Sequence, residues 1–122
     1  MKFERELLKG VLPVVVLEVL SRGTMYGYEL SEAIQKRSKE ILQLGRGTLY
    51  PLLYNLEAKG LVKGEWQESE NGRSRRYYTI TGKGKKLLAG QKEQWLELQT
   101  GVNAVFGMAQ GRVSLACRIE RG

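Results

Sequence analysis

From Leu44 to Leu61 the chain reads LGRGTLYPLLYNLEAKGL, and Leu49, Leu52, Leu53 and Leu56 recur there at the i, i+3, i+4, i+7 spacing that aligns side chains on one helix face. A helix with so apolar a stripe has no stable home in water, so other elements must cover it. Gly60 stands where a helix C′ residue takes positive φ, and Leu61 is set to pack back on Leu56, the contact that accompanies a Schellman stop. The start is less sharply marked. Pro51 lacks a backbone N–H and its ring crowds the carbonyl four residues back, which places it near the first turn, at N3 with Thr48 as N-cap. A start at Gly45 would kink the helix.

With the leucines turned inward, Tyr50, Pro51, Tyr54 and Asn55 face outward, with Gly47 just ahead of the cap. This face carries almost no charge, whereas a free helix surface is usually Glu and Lys. Tyrosine hydroxyls, an Asn amide and bare glycine backbone suit hydrogen bonds to phosphates and base edges. The alternative is that the tyrosines pack under a neighbouring loop.

Upstream, the charged arm MKFERE leads through Leu7 and Leu8 to Gly10 and is either mobile or joined to the first helix. That helix is expected to have Pro13 near its first turn and to run VVVLEVLSR to a stop at Gly23; its β-branched run makes a buried strand the rival. Thr24 is expected to cap the next helix through TMYGYELSEAIQKRS, with Leu30, Ala33 and Ile34 inward. Gly27, between Tyr26 and Tyr28, costs helix propensity, and a close backbone approach to a neighbour would account for it.

After Leu61 the period changes from helical to two. LVKGEWQES and RSRRYYTIT flank an Asn71-Gly72 turn, which reads as a β-hairpin with Arg76, Tyr78 and Ile80 on one face and Arg75 and Tyr77 on the other. Trp66 can match an aromatic across the sheet. Arg73, Arg75 and Arg76 cluster just past the tip, either as nucleic-acid contacts or as a charge-protected hairpin edge. Helices followed by a basic hairpin is the order of a winged helix-turn-helix, whose last short helix enters the major groove.

Charge agrees with that order. The chain of 122 residues carries a net charge of +7, and from Lys59 to Lys92 nine Lys or Arg face three Glu. Positive charge thus concentrates beside the tyrosine helix, which favours an anionic partner. The chain has no histidine and one cysteine, Cys117, so a disulfide framework, a Cys/His zinc site and a histidine triad are all excluded within one chain. No metal or cofactor is expected, and no catalysis, since only scattered Glu and Lys remain as acid-base groups. The apolar run Val11 to Leu20 is too short for a membrane span and contains Pro13 and Glu18, so a cytoplasmic protein is expected.

Thr81 can cap a last helix in which Leu88, Trp95 and Val102 recur every seven residues, with Gln91, Leu98 and Val105 three further along. That is an a/d seam with one polar break, and a second copy of the chain is its simplest partner. The rival is a stripe that docks on its own domain. Gly82, Gly84 and Gly101 weaken the segment as a free coiled coil.

The blocks LEVLSRGTMYGYEL, GTLYPLLYNLEAKGLV and RSRRYYTITGKGKKLL with Trp95, spanning roughly residues 10 to 106, resemble the PadR-type repressors, bacterial winged-helix regulators named for control of phenolic-acid detoxification. The resemblance implies a homodimer joined through the helix after the wing, and DNA reading by the helix that holds Tyr50 and Tyr54. The single C-terminal helix is similar to the short-tailed branch of that family, in which some members respond to planar aromatic compounds; a tryptophan at the spacing of Trp95 lines their dimer pocket. In the bland alternative the two indoles simply fill the interface. GRVSLACRIERG, after Met108, departs from the pattern.

The fold expected is therefore mainly α with a small β-hairpin: a winged helix-turn-helix over residues 1–81, a dimerisation helix over 82–108, and a tail over 109–122. The function expected is a dimeric regulator, a repressor by occlusion, on a pseudo-palindromic operator in double-stranded DNA. Gly47, Thr48, Tyr50 and Tyr54 are the candidates for base and phosphate contacts, and Arg73, Arg75 and Arg76 for the backbone or minor groove at the wing. Lys63 and Lys83 would add longer-range attraction. Leu88, Trp95, Leu98, Val102 and Val105 are the candidate dimer interface, with Trp95 also the candidate contact for an aromatic effector. The rivals are a winged-helix module that binds protein through the tyrosine face and a small RNA-binding protein that stacks bases on Tyr50 and Tyr54.

Overall fold

The first long helix starts as its sequence dictates: Leu12 and Pro13 take its first two positions, where the missing proline N–H costs nothing. In the computed structural model, which describes residues 2–108, this helix, α2 (Leu12–Leu20), follows a single short turn, α1 (Arg5–Leu8). The remaining elements are β1 (Met25–Tyr26), α3 (Gly27–Arg37), α4 (Arg46–Ala58), β2 (Val62–Glu68), β3 (Ser74–Ile80) and α5 (Gly82–Phe106). Cys117 and the expected tail lie outside the described residues.

The core is assembled from one face of each element. Val16, Leu17 and Leu20 of α2, Leu30 and Ile34 of α3, and Leu49, Leu53 and Leu56 of α4 meet Val62, Tyr78 and Ile80 of the sheet, all buried. Leu52, the remaining leucine of the stripe, packs half-buried at its margin. Burial of this kind stabilises by about 1.5–3 kcal/mol for each large apolar side chain, and it fixes α4 on the body of the domain.

Two element starts differ from expectation. Thr24 does not cap α3; its hydroxyl lies 2.9 Å from that of Thr79, and Met25 and Tyr26 pair with Tyr78 and Tyr77 as the strand β1. The sheet thus has three antiparallel strands in the order β1-β3-β2, and α3 starts at Gly27, with Glu29 Oε1 accepting the Tyr26 N–H at 3.3 Å. Gly23 does not take the left-handed conformation of a C′ stop either; α2 ends at Ser21, whose N–H bonds Leu17 and whose hydroxyl donates to the Glu18 carbonyl at 2.6 Å. Between α3 and α4, Lys39 and Glu40 both hold positive φ (56° and 68°), and Ser31 Oγ donates to the Leu44 carbonyl at 2.9 Å, tying α3 to the approach of α4.

The end of α4 and the hairpin follow the sequence closely. Gly60 has φ +75°, its N–H bonds the Glu57 carbonyl at 2.9 Å and the Leu61 N–H bonds Leu56 at 2.9 Å, the paired bonds of a Schellman stop. Gly72 has φ +82° at the hairpin tip, and Trp66 lies opposite Arg76 across the ladder. Thr81 caps α5 by accepting the Gly84 N–H at 3.0 Å. The chain divides into two units after Leu88. Gly84 and Leu88 are buried with the first unit, so Leu88, expected to face a partner, belongs to the core of its own domain.

Candidate nucleic-acid interface

The helix expected to read DNA begins earlier than its proline suggests. Gly45 is the N-cap in extended conformation, and its carbonyl accepts the N–H groups of Thr48 and Leu49 at 3.1 and 2.9 Å. Thr48 therefore lies inside the first turn, and Pro51 lies in the helix interior. A proline there cannot donate to the carbonyl of Gly47, so that acceptor stays free of its usual helical partner. Gly47, Thr48, Pro51, Tyr54 and Asn55 are all exposed, and the first-turn N–H groups of Arg46 and Gly47 have no acceptor within the helix. Arg46 was not among the sequence candidates; an exposed arginine directly after a glycine N-cap is the signal that marks it.

The two tyrosines of α4 differ. Tyr54 stands clear of the domain at 74% exposure, whereas Tyr50, at 41%, lays its ring over Gly27 at the start of α3. A Cβ on Gly27 would sit 2.8 Å from Tyr50 Cζ, so the bare glycine is what lets the ring approach.

The wing brings its arginines to three different places. Arg73 is exposed at the tip, where its own N–H donates to Asn71 Oδ1 at 3.3 Å. Arg75 lies over the ring of Tyr26 at 4.4 Å from its centroid, and Tyr26 meets Tyr77 edge-on at 5.4 Å. This stacked cation is held on the sheet face away from the core. Arg76 turns back to α4, where its Nη2 donates to Glu57 Oε2 at 2.6 Å, and it also lies near the rings of Trp66 and Tyr78. Burial pushes the Tyr78 phenol above its ordinary pKa, and the neighbouring Arg76 charge opposes that rise. Of the two expected auxiliary lysines, Lys63 pairs with Glu65 at 3.7 Å, and Lys83 donates to the Lys59 carbonyl at 2.8 Å, closing the C-terminal end of α4.

In the second unit, Trp95, Leu98, Val102 and Val105 expose 43, 60, 38 and 85% of their surface in the single chain. Among the described residues no group of His, Cys, Asp or Glu is arranged to hold a metal ion, and no helix is long and apolar enough to cross a membrane.

Comparison with known proteins agrees with the fold. Residues 16–90 match the model of the transcriptional regulator PadR-like family. The transcriptional regulator Rv3488 of Mycobacterium tuberculosis is 32% identical over 94 residues, covering 77% of this chain and 84% of that protein. A PadR-like transcriptional regulator of Bacillus cereus has a crystal structure that is 36% identical, with a TM-score of 0.70 over 88% of this chain and 99% of that one. A transcriptional regulator of Clostridium thermocellum is 29% identical with a TM-score of 0.75, covering 81% and 96% of the two chains. With sequence and fold in agreement over most of its length, this winged-helix chain belongs to the PadR-like family of transcriptional regulators.

Proposed function

We propose that the chain acts as a homodimeric repressor that binds a pseudo-palindromic operator in duplex DNA and blocks transcription by occlusion. The observation that carries this reading is the open face of α4, neutral between Arg46 and Glu57, beside a basic wing. Gly47, Thr48 and Tyr54 are exposed on the helix, and a helix bearing neutral donors and acceptors suits a groove lined with base edges. Tyr50 supports them from the side, and Arg73 and Arg75 on the wing supply charge for the phosphate backbone. The apolar stripe of Trp95, Leu98, Val102 and Val105 supports dimerisation, since a second copy would cover it about a two-fold axis.

In such a dimer the two Trp95 indoles face one another, and a planar aromatic effector can enter between them by offset stacking, worth about 0.5–1.5 kcal/mol beyond area burial. Without such an effector the same indoles fill the interface core. Fluorescence titration of a Trp66→Phe variant separates the two: saturable quenching that releases DNA supports the pocket, and no response to planar aromatics refutes it.

Selection of bound duplexes from a random pool tests the main reading. A two-fold-symmetric consensus with half-sites about one helical turn apart, roughly 34 Å, is the expected result. Insertion of half a turn between the half-sites then abolishes tight binding. Undiminished affinity for that spacing, or preferential capture of single-stranded RNA, overturns the proposal.

A further inference from the structure

Glu57 continues the outward stripe of α4 that begins with Tyr50 and Tyr54. Its Oε2 accepts from two groups of the wing, Arg76 Nη2 at 2.6 Å and the Gly64 N–H at 3.3 Å. Gly64 lies on β2, an edge strand of the sheet. Thr81 donates to the Leu61 carbonyl, and Ser69 to Arg73, at the two ends of the ladder. Bonded pairs alternate along an antiparallel ladder, so the Gly64–Tyr78 pair falls between them and the Gly64 N–H points away from β3. Glu57 therefore closes an edge donor that the sheet cannot use. Gly64 also makes the Arg76 crossing possible, because a Cβ there would come 2.7 Å from Arg76 Nε. One carboxylate of α4, one bare strand position and one arginine of the wing thus form a single joint.

We infer that Glu57 and Arg76 are a positioning pair that sets the angle of the wing against α4, so that Arg76 governs discrimination between DNA sites without holding a phosphate. Its guanidinium is neutralised by Glu57 and bracketed by Trp66 and Tyr78. Among the described residues Arg73 and Arg75 have no such carboxylate, and they remain the wing's charges for the backbone. This inference rests on the DNA-binding reading above.

Salt titration of the full chain on a selected operator and on an unrelated duplex tests it, with wild type, Arg73→Ala, Arg76→Gln, Glu57→Gln and the Glu57→Gln/Arg76→Gln double variant. Arg76→Gln lowers the ratio of the two affinities about tenfold, roughly what one mismatched base pair costs, and leaves the salt slope unchanged. Glu57→Gln gives the same loss of ratio with a slope steeper by about one, because it frees a guanidinium. The double variant is no worse than either single one, as expected of residues acting together. Arg73→Ala is the reference for a true phosphate contact and flattens the slope by about one on both duplexes. Equal weakening on both duplexes with a flattened slope in Arg76→Gln, or an unchanged ratio, overturns the inference. Failure of the wild type to bind either duplex would instead remove the DNA reading. The pair is also read without DNA from hydrogen exchange at the Gly64 amide, which accelerates in Arg76→Gln and in Glu57→Ala; wild-type exchange in both variants refutes the joint itself.

Discussion

Gly84→Ala and Gly90→Ala place the same methyl group on the same helix and are expected to change stability in opposite directions. At Gly84, in the first turn of α5, the added carbon would run into the Leu61 carbonyl oxygen and lie 2.8 Å from Ile80 Cγ1 and 3.1 Å from the Leu61 carbonyl carbon. Neither neighbour can easily yield. Leu61 closes the Schellman stop of α4 and accepts the Thr81 N–H at 3.0 Å, and Ile80 is buried. Overpacking of this kind costs about 1–3 kcal/mol, against a gain of roughly 1 kcal/mol from replacing glycine by alanine in a helix. The net expectation is a loss of up to about 2 kcal/mol, with a fall of roughly 4–8 °C in Tm for each kcal/mol lost in a domain this small. Among the described residues nothing lies within 4 Å of the carbon added at Gly90, so only the propensity gain of about 1 kcal/mol remains and Tm rises. Thermal unfolding followed by far-ultraviolet circular dichroism reads both, at one fixed protein concentration because unfolding of the proposed homodimer would depend on it. A Gly84→Ala variant as stable as Gly90→Ala would refute the close approach of α5 to the end of α4.

Gly27→Ala meets only the movable end of the Tyr50 side chain, so it is expected to leave Tm nearly unchanged while shifting operator preference in a selection experiment; unaltered preference would remove Tyr50 from the reading surface. Arg75→Ala weakens all duplexes alike and flattens the salt slope by about one, whereas Tyr54→Phe changes the ranking of sites at constant slope. An Arg75→Ala variant that reranks sites while keeping its slope would contradict this division of labour. Tyr78, whose pKa burial raises above the ordinary 10.0, favours the folded state while its phenol is neutral. That contribution is fully present below the unfolded pKa and is lost as pH rises through the folded one, so urea unfolding across this alkaline range should show a steeper decline than in Tyr78→Phe. Parallel declines in the two proteins would exclude Tyr78 as the cause.

The sequence makes some of these features plain because local chemistry decides them. Gly60 after the leucine stripe, Asn71-Gly72 between alternating strands and Thr81 before α5 each mark a boundary that the backbone then adopts. Other features depend on distant contacts and leave no local trace. A strand of only Met25 and Tyr26 shows no period, and Thr24 looks like a helix cap until its hydroxyl is seen opposite Thr79. Gly45 caps α4 with no side chain to announce it, and Pro51 is carried inside the helix. The heptad spacing of α5 identifies an apolar stripe but not what covers it, so Leu88 proves to belong to the domain core. Likewise three neighbouring arginines look equivalent until Arg75 is seen over Tyr26 and Arg76 against Glu57.

The pairing of β1 with β3 also orders events in time. Thr24 and Thr79 are 55 positions apart, whereas the hairpin closes between Ser69 and Arg73. Bringing the distant pair together from an open chain costs about 2 kcal/mol more loop-closure entropy than closing the hairpin turn. The rate-limiting encounter should therefore exploit the local hairpin first, leaving β1 to dock late. A contact made after the barrier restrains unfolding without hastening folding, so those two residues act chiefly as a latch on the lifetime of the finished domain.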